Sequence, residues 1–139
     1  MAAERRIDFT ADRARYRQLA DILRDAITAG EYRPGDPLPA EQTLAQTYEI
    51  GVDTVRDGLA ILRAEGLIET EHGRRSRVRA AMKRAALTMA PGARAMARMP
   101  TEAERRRLGL SEGVPILVVT SPRGHVSLYP ADRYELRGE

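Results

Sequence analysis

Between Asp12 and Ala29, apolar side chains recur at steps of three and four: Tyr16, Leu19, Ala20, Leu23, Ala26 and Ile27. That spacing places them on one face of an amphipathic helix, with Arg15, Arg17, Arg24 and Asp25 mostly elsewhere. Gly30 stands where a helix C-terminal glycine belongs. The following run, Tyr32 to Pro39, holds three prolines and a glycine in eight residues. It predicts an extended, turn-bearing connector. A second short helix fits Ala40 to Tyr48, with Leu44, Ala45 and Tyr48 inward. After the brief interruption Glu49-Ile50-Gly51, a third helix fits Val52 to Glu65, with Val55, Leu59 and Leu62 as its buried stripe and Gly66 as its stop. Two short helices joined by about three residues that include glycine form a helix-turn-helix pattern.

The period changes after Gly66. Leu67 to Glu71, then His72-Gly73-Arg74-Arg75, then Ser76 to Arg79 predict strand, turn and strand, the second strand alternating polar and apolar. Three helices followed by a hairpin make the winged form of the motif. Residues 81–99, rich in Ala, Met and Lys/Arg and broken by Pro91-Gly92, are expected to be a linker. Beyond them Thr101 can cap a helix Glu102 to Leu108, with Glu104 completing a capping box. Gly109 and Gly113 stop that helix. Ile116 to Val119 and Val126 to Tyr129 predict a second hairpin turning near Arg123-Gly124. The expected fold class is therefore α+β, a winged helix-turn-helix of three helices plus a β-hairpin wing, with a small C-terminal helix and β-hairpin. Its expected parts are a DNA-binding domain at 8–80, a linker at 81–99 and a segment at 100–139. That last segment alone is too small to bury a stable core, so it should pack on the winged part or on a second copy of itself.

Composition narrows the chemistry. The 139 residues contain no Cys, which excludes disulfides and Cys-based zinc sites, and only two His, His72 and His125. With aromatics at 4%, the core must come from Leu, Ile, Val and Ala. No apolar run approaches the ~18 residues that cross a bilayer, and residues 1–12 lack a signal-peptide apolar stretch. A cytoplasmic protein without membrane association is expected. No phosphate-binding glycine loop, nucleophile elbow or metal-spaced His pair occurs, so neither an enzyme nor a cofactor is expected.

The net charge is +3, but residues 1–80 carry 13 Lys/Arg against 14 Asp/Glu. What they do have is a local cluster, Arg74, Arg75, Arg77 and Arg79. A localised positive face matters more for nucleic acid than the total. Arg74, Arg75 and Arg77 at a tight turn suit phosphate or minor-groove contact; the plainer alternative is a charged surface hairpin. With Val55, Leu59 and Leu62 inward, the third helix has Asp53, Thr54, Arg56, Asp57 and Ala60 to turn outward. Arg56 could pair with guanine through two bonds, or form a surface ion pair with Asp53 or Glu49. Asp53 could accept from cytosine or orient Arg56. Gln42 suits a phosphate or an adenine edge, or solvent. Arg33 can reach a backbone phosphate. His125 has no partner, and Tyr16, Tyr32 and Tyr48 are expected to pack, not to stack on bases.

The run Tyr32 to Glu41, then Leu44-Ala45, Thr54-Val55-Arg56, Leu62 to Ile68 and His72-Gly73 resembles the GntR family of bacterial regulators over residues 14–80. Pro91 to Arg94, Met99 to Thr101, Leu108 to Leu110 and Gly113 to Val119 are similar to the opening of the UTRA effector domain of HutC-type members, here about a third of its length. The resemblance implies a homodimer on a pseudo-palindromic operator in double-stranded DNA, commonly a repressor, with residues 100–139 as a dimerisation element. Family members often release DNA on binding a small-molecule effector, which here stays open. By the same resemblance Arg56 reaches the major groove, Thr54 lies near phosphate, and His72 and Gly73 form the wing tip at the minor groove. The chain departs from the family at Gln42 and Val52, where Arg is common, at Asp53, where a small hydroxyl is, and at Ala40, where Ser caps the second helix. Those departures remove positive charge and add a negative one. They motivate an alternative, a dimerising interaction module derived from such a regulator with weak or lost operator binding.

Overall fold

Helix α1 (Arg15–Thr28) buries Leu19, Ala20, Leu23 and Ala26, as its spacing predicts. The computed structural model describes residues 5–71, 75–80 and 83–138. They fall into two compact units, residues 1–80 and 81–139.

In the first unit, α1 starts three residues later than its periodicity allows. The Gln18 amide holds the preceding segment instead, donating from Nε2 to the Asp8 and Arg13 carbonyls at 2.9 Å each. It also accepts the Asp8 N–H at 2.8 Å. Helix α3 (Val52–Ala64) buries Val55, Gly58, Leu59 and Leu62 against α1. Gly58 permits the close approach: a Cβ there would stand 3.0 Å from the Tyr16 carbonyl oxygen and 3.2 Å from Leu19 Cδ2. Between them α2 (Glu41–Tyr48) contributes Leu44 and Ala45. It ends at Glu49, whose φ of 57° and ψ of 44° are left-handed. Glu49 is the one non-glycine residue with positive φ among the described residues. The core is aliphatic, with Leu19, Leu23, Leu38, Val55, Leu62 and Ile68 fully buried. Each such side chain contributes about 1.5–3 kcal/mol on leaving water. Tyr32 and Tyr48 pack at its margin.

Strands β1 (Ile68–Thr70) and β2 (Ser76–Val78) pair antiparallel, Ile68 opposite Val78 and Thr70 opposite Ser76. The Pro-rich connector does more than span a gap. Leu38 N–H donates to the Ser76 carbonyl at 2.8 Å, Gly35 N–H to Val78 at 2.9 Å, and Val78 N–H to Asp36 at 2.9 Å. It therefore lies along β2, with Pro37 bridged to Arg77. Leu38 is delivered into the core by this pairing.

The second unit corrects the linker expected at 81–99. That segment contains β3 (Ala85–Thr88) and β4 (Arg94–Arg98). β3 pairs parallel with β7 (Tyr134–Arg137), Ala85 beside Tyr134. β4 forms one edge of an antiparallel sheet with β5 (Ile116–Thr120) and β6 (Val126–Pro130). Every residue of β4 is exposed, so its composition resembles a linker although its backbone is paired. The expected hairpin is the β5–β6 pair. Helix α4 (Glu102–Leu108) has the expected capping box between Thr101 and Glu104, and Gly109 closes it in the left-handed region. The buried cluster of this unit is small, Leu110, Val114 and Ile116, while Met96, Met99 and Val126 are exposed.

Candidate nucleic-acid interface

The buried stripe of α3 fixes what its opposite face offers. With Val55, Gly58, Leu59 and Leu62 against the core, Asp53, Arg56, Asp57 and Ala60 are exposed, and Thr54 is half-buried at the margin. The α2 helix begins beside this face. Its N-cap residue, Ala40, makes no side-chain cap bond, so the first-turn amides lack that partner. Free amides at a helix start suit an anionic group.

Arg56 is held, not loose. Its Nε donates to Glu41 Oε2 at 2.9 Å, linking α3 to the first turn of α2. Its Nη1 lies 3.7 Å from Asp53 Oδ1, too far for a hydrogen bond. Both groups remain open to water, with Arg56 61% and Asp53 98% exposed. The arginine partner within its own helix was legible at i,i+3 spacing. Glu41 was not, because it is 15 residues away and only the crossing of α2 and α3 brings it near. Glu49, the other expected partner, takes no part in these two ion pairs.

The wing is anchored by hydroxyls. Thr70 Oγ1 and Ser76 Oγ share a hydrogen bond of 2.6 Å, and Arg63 Nη1 of α3 donates to Thr70 Oγ1 at 3.0 Å. Arg75 is exposed, and its Nε donates to the Leu38 carbonyl at 3.2 Å. Arg77, also exposed, donates from Nη1 to the Gly35 carbonyl at 3.3 Å. Both arginines thus brace the connector while keeping charge at the surface. His72, Gly73 and Arg74 lie outside the described residues. Gln42 is exposed on the first turn of α2, where it lines a cleft of about 230 Å³ with Ala40, Glu41, Leu59, Arg75 and Ser76. Arg33 is exposed in the connector, its backbone N–H donating to Asp36 Oδ2 at 2.8 Å.

One surface of the first unit therefore carries the start of α2, the outward face of α3 and Arg75, joined by the Arg56–Glu41 bond and the cleft that Gln42, Leu59 and Arg75 line. Among the described residues no cluster of His, Cys, Asp or Glu could hold a metal ion, and no helix is long and apolar enough to cross a membrane. The chain is similar to the HTH-type transcriptional regulator Rv0494 of Mycobacterium tuberculosis, 42% identical over 62 residues, 45% of this chain and 26% of that one. It is also similar to the HTH-type transcriptional regulator RB1450 of Rhizobium meliloti, 30% identical over 91% of this chain and 62% of that one. It thus spans roughly a quarter of the first relative's length and under two thirds of the second's. Among solved structures, YtrA from Sulfolobus acidocaldarius, a GntR-family transcription factor, superimposes with a TM-score of 0.53 at 31% identity. That match covers 58% of this chain and 84% of YtrA. The model of the bacterial regulatory proteins of the gntR family matches residues 15–85, the three helices, the wing and the first residue of β3. Because that match covers half of its length, the chain belongs to the gntR family of bacterial regulatory proteins.

Proposed function

We propose that this chain is a cytoplasmic, sequence-specific regulator of transcription that binds double-stranded DNA. In this reading it acts as a repressor and as a homodimer on a pseudo-palindromic operator. The observation that carries it is the α3 face, which is uncovered within its unit and flanked by the first turn of α2 and by Arg75, with Arg77 of β2 next along the wing. A helix so presented fits the major groove, where its side chains meet base edges while flanking cations grip phosphate. Arg56 carries direct readout, Asp53 lies beside it, and Thr54, Gln42 and Arg33 serve the backbone. Arg75 and Arg77 approach the neighbouring minor groove, the contact also expected of His72, Gly73 and Arg74. Residues 100–139 supply the dimerising element, a reading supported by the small buried cluster of the second unit and its exposed Met99 and Val126.

A footprint on the DNA flanking its own gene tests this. Two protected half-sites about one helical turn apart, roughly 10 bp, are expected. A reporter under that promoter should rise when the gene is deleted. A second reading, an interaction module with weak operator binding, is favoured by one observation: Arg56 stands between two carboxylates. Weak, sequence-blind binding at low salt would select it, whereas a steep salt dependence with clear preference over random duplex selects the regulator.

A further inference from the structure

We propose that Glu41 is a positioning residue for base recognition: its carboxylate holds the Arg56 guanidinium by Nε and turns the two terminal nitrogens toward a guanine. This inference rests on the DNA-binding reading above and deepens it.

The geometry distinguishes Glu41 from the other nearby acid. Glu41 Oε2 is in hydrogen-bond contact with Arg56 Nε at 2.9 Å, whereas Asp53 Oδ1 is 3.7 Å from Nη1 and its side chain is almost wholly solvated. Glu41 belongs to the first turn of α2 and Arg56 to the second turn of α3, so the bond joins two helices whose crossing is fixed by the core. An arginine fork can meet guanine O6 and N7 either through Nε with one terminal nitrogen or through both terminal nitrogens. Glu41 occupies Nε, which leaves the end-on arrangement. A free arginine side chain must also lose its rotamer freedom on reaching a base, a penalty of roughly tenfold or more in affinity. An arginine already held has less to lose.

The same carboxylate sits near the phosphates and repels them. Removing it should therefore have two effects of opposite sign, with binding to any duplex rising and preference for the correct base falling. A residue that merely supported the fold would lower both.

The test uses the 139-residue chain and a duplex of roughly 30 bp, about three helical turns, selected by that chain from a random pool. Wild type, Arg56→Ala, Glu41→Ala and Glu41→Gln are competed against every single-base variant and against random duplex. Arg56→Ala should flatten the preference at one base pair by roughly 10- to 100-fold. Glu41→Ala should lose about tenfold at that same base pair while binding random duplex no more weakly than wild type. Glu41→Gln, whose amide oxygen can still accept from Nε, should restore most of the preference. A DNA-free readout accompanies it: the Arg56 Nε–Hε resonance should be distinct in wild type and Glu41→Gln but exchange-averaged in Glu41→Ala. Wild-type discrimination in Glu41→Ala, at the base pair that Arg56→Ala flattens, overturns the inference and leaves the DNA-binding reading standing. If Arg56→Ala flattens no base pair, or no sequence is enriched, the major-groove reading of α3 falls and this inference with it.

Discussion

Gly58 of α3 faces Tyr16 of α1 so closely that a Cβ on the glycine would stand 3.0 Å from the tyrosine carbonyl oxygen. The neighbour is backbone, which cannot swing aside, and Leu19 Cδ2 at 3.2 Å closes the other side. The face of α3 turned to solvent is therefore set by a missing side chain on the face turned inward.

Replacing Gly58 by Val should cost about 2 kcal/mol, the overpacking penalty outweighing the small gain in helix propensity. Chemical denaturation measures it. Unchanged stability would mean that α1 can move away from α3, and that the two helices are not locked at this point.

Arg24 of α1 meets Glu65, just beyond α3, through two bonds of 2.9 and 2.6 Å, and Asp21 through a third of 2.8 Å. These groups are about one third exposed, so solvent screens them. Glu65→Gln should cost less than about 1 kcal/mol at low salt, and the difference from wild type should shrink as salt rises. A salt-independent loss would point to packing instead of charge.

The capping box of α4 predicts an acid response. The Arg98 guanidinium, bonded to both Glu104 carboxylate oxygens at 2.8 and 2.9 Å, pulls that carboxyl down from 4.5 to about 2, and the Thr101 N–H assists. Because the folded pKa lies below the unfolded one, the stabilisation is fully present above about pH 4.5. It is lost as pH falls toward about 2. Carbon-detected titration of the Glu104 carboxyl should show a midpoint near 2, and Arg98→Ala should return it toward 4.5. A wild-type midpoint near 4.5 would mean that the pair does not persist in solution.

Arg75→Ala combined with Arg77→Ala should weaken binding to all duplexes alike. It should also flatten the dependence of log K on log salt by about 1 for each phosphate no longer neutralised. Weakening confined to one base pair would place these arginines at a base edge instead. Because both also brace the connector at Leu38 and Gly35, thermal unfolding of the double variant must be compared alongside.

The first unit was largely legible because its periodicities are local. Leu19, Leu23, Val55, Leu59 and Leu62 declare their faces within one or two turns, and Gly30 and Gly66 mark the helix ends. What stayed hidden was pairing across distance. Nothing in Tyr32 to Pro39 announces that its backbone lies along β2, since three prolines suppress every strand signal while Leu38 is still delivered to the core. The 81–99 stretch misled for a different reason. β4 pairs through its backbone but exposes every side chain, so hydrophobic alternation, the usual mark of a strand, is absent. β3 finds its partner far along the chain, Ala85 beside Tyr134, a parallel pairing that no local pattern encodes. At the candidate site, the outward set on α3 followed from the buried stripe. The Glu41–Arg56 bond depended on how two helices cross, which is a property of the packed core.

Glu49 leaves one more consequence. A side chain held at φ 57° costs roughly 1 kcal/mol or more that glycine would not incur, partly offset by the extra freedom glycine gives the unfolded chain. The bend between α2 and α3 thus contains a reserve of thermal robustness that one exchange, Glu49→Gly, could release. Since Glu49 is exposed and stands outside the two Arg56 ion pairs, heat tolerance can be raised there without disturbing the Arg56–Glu41 link.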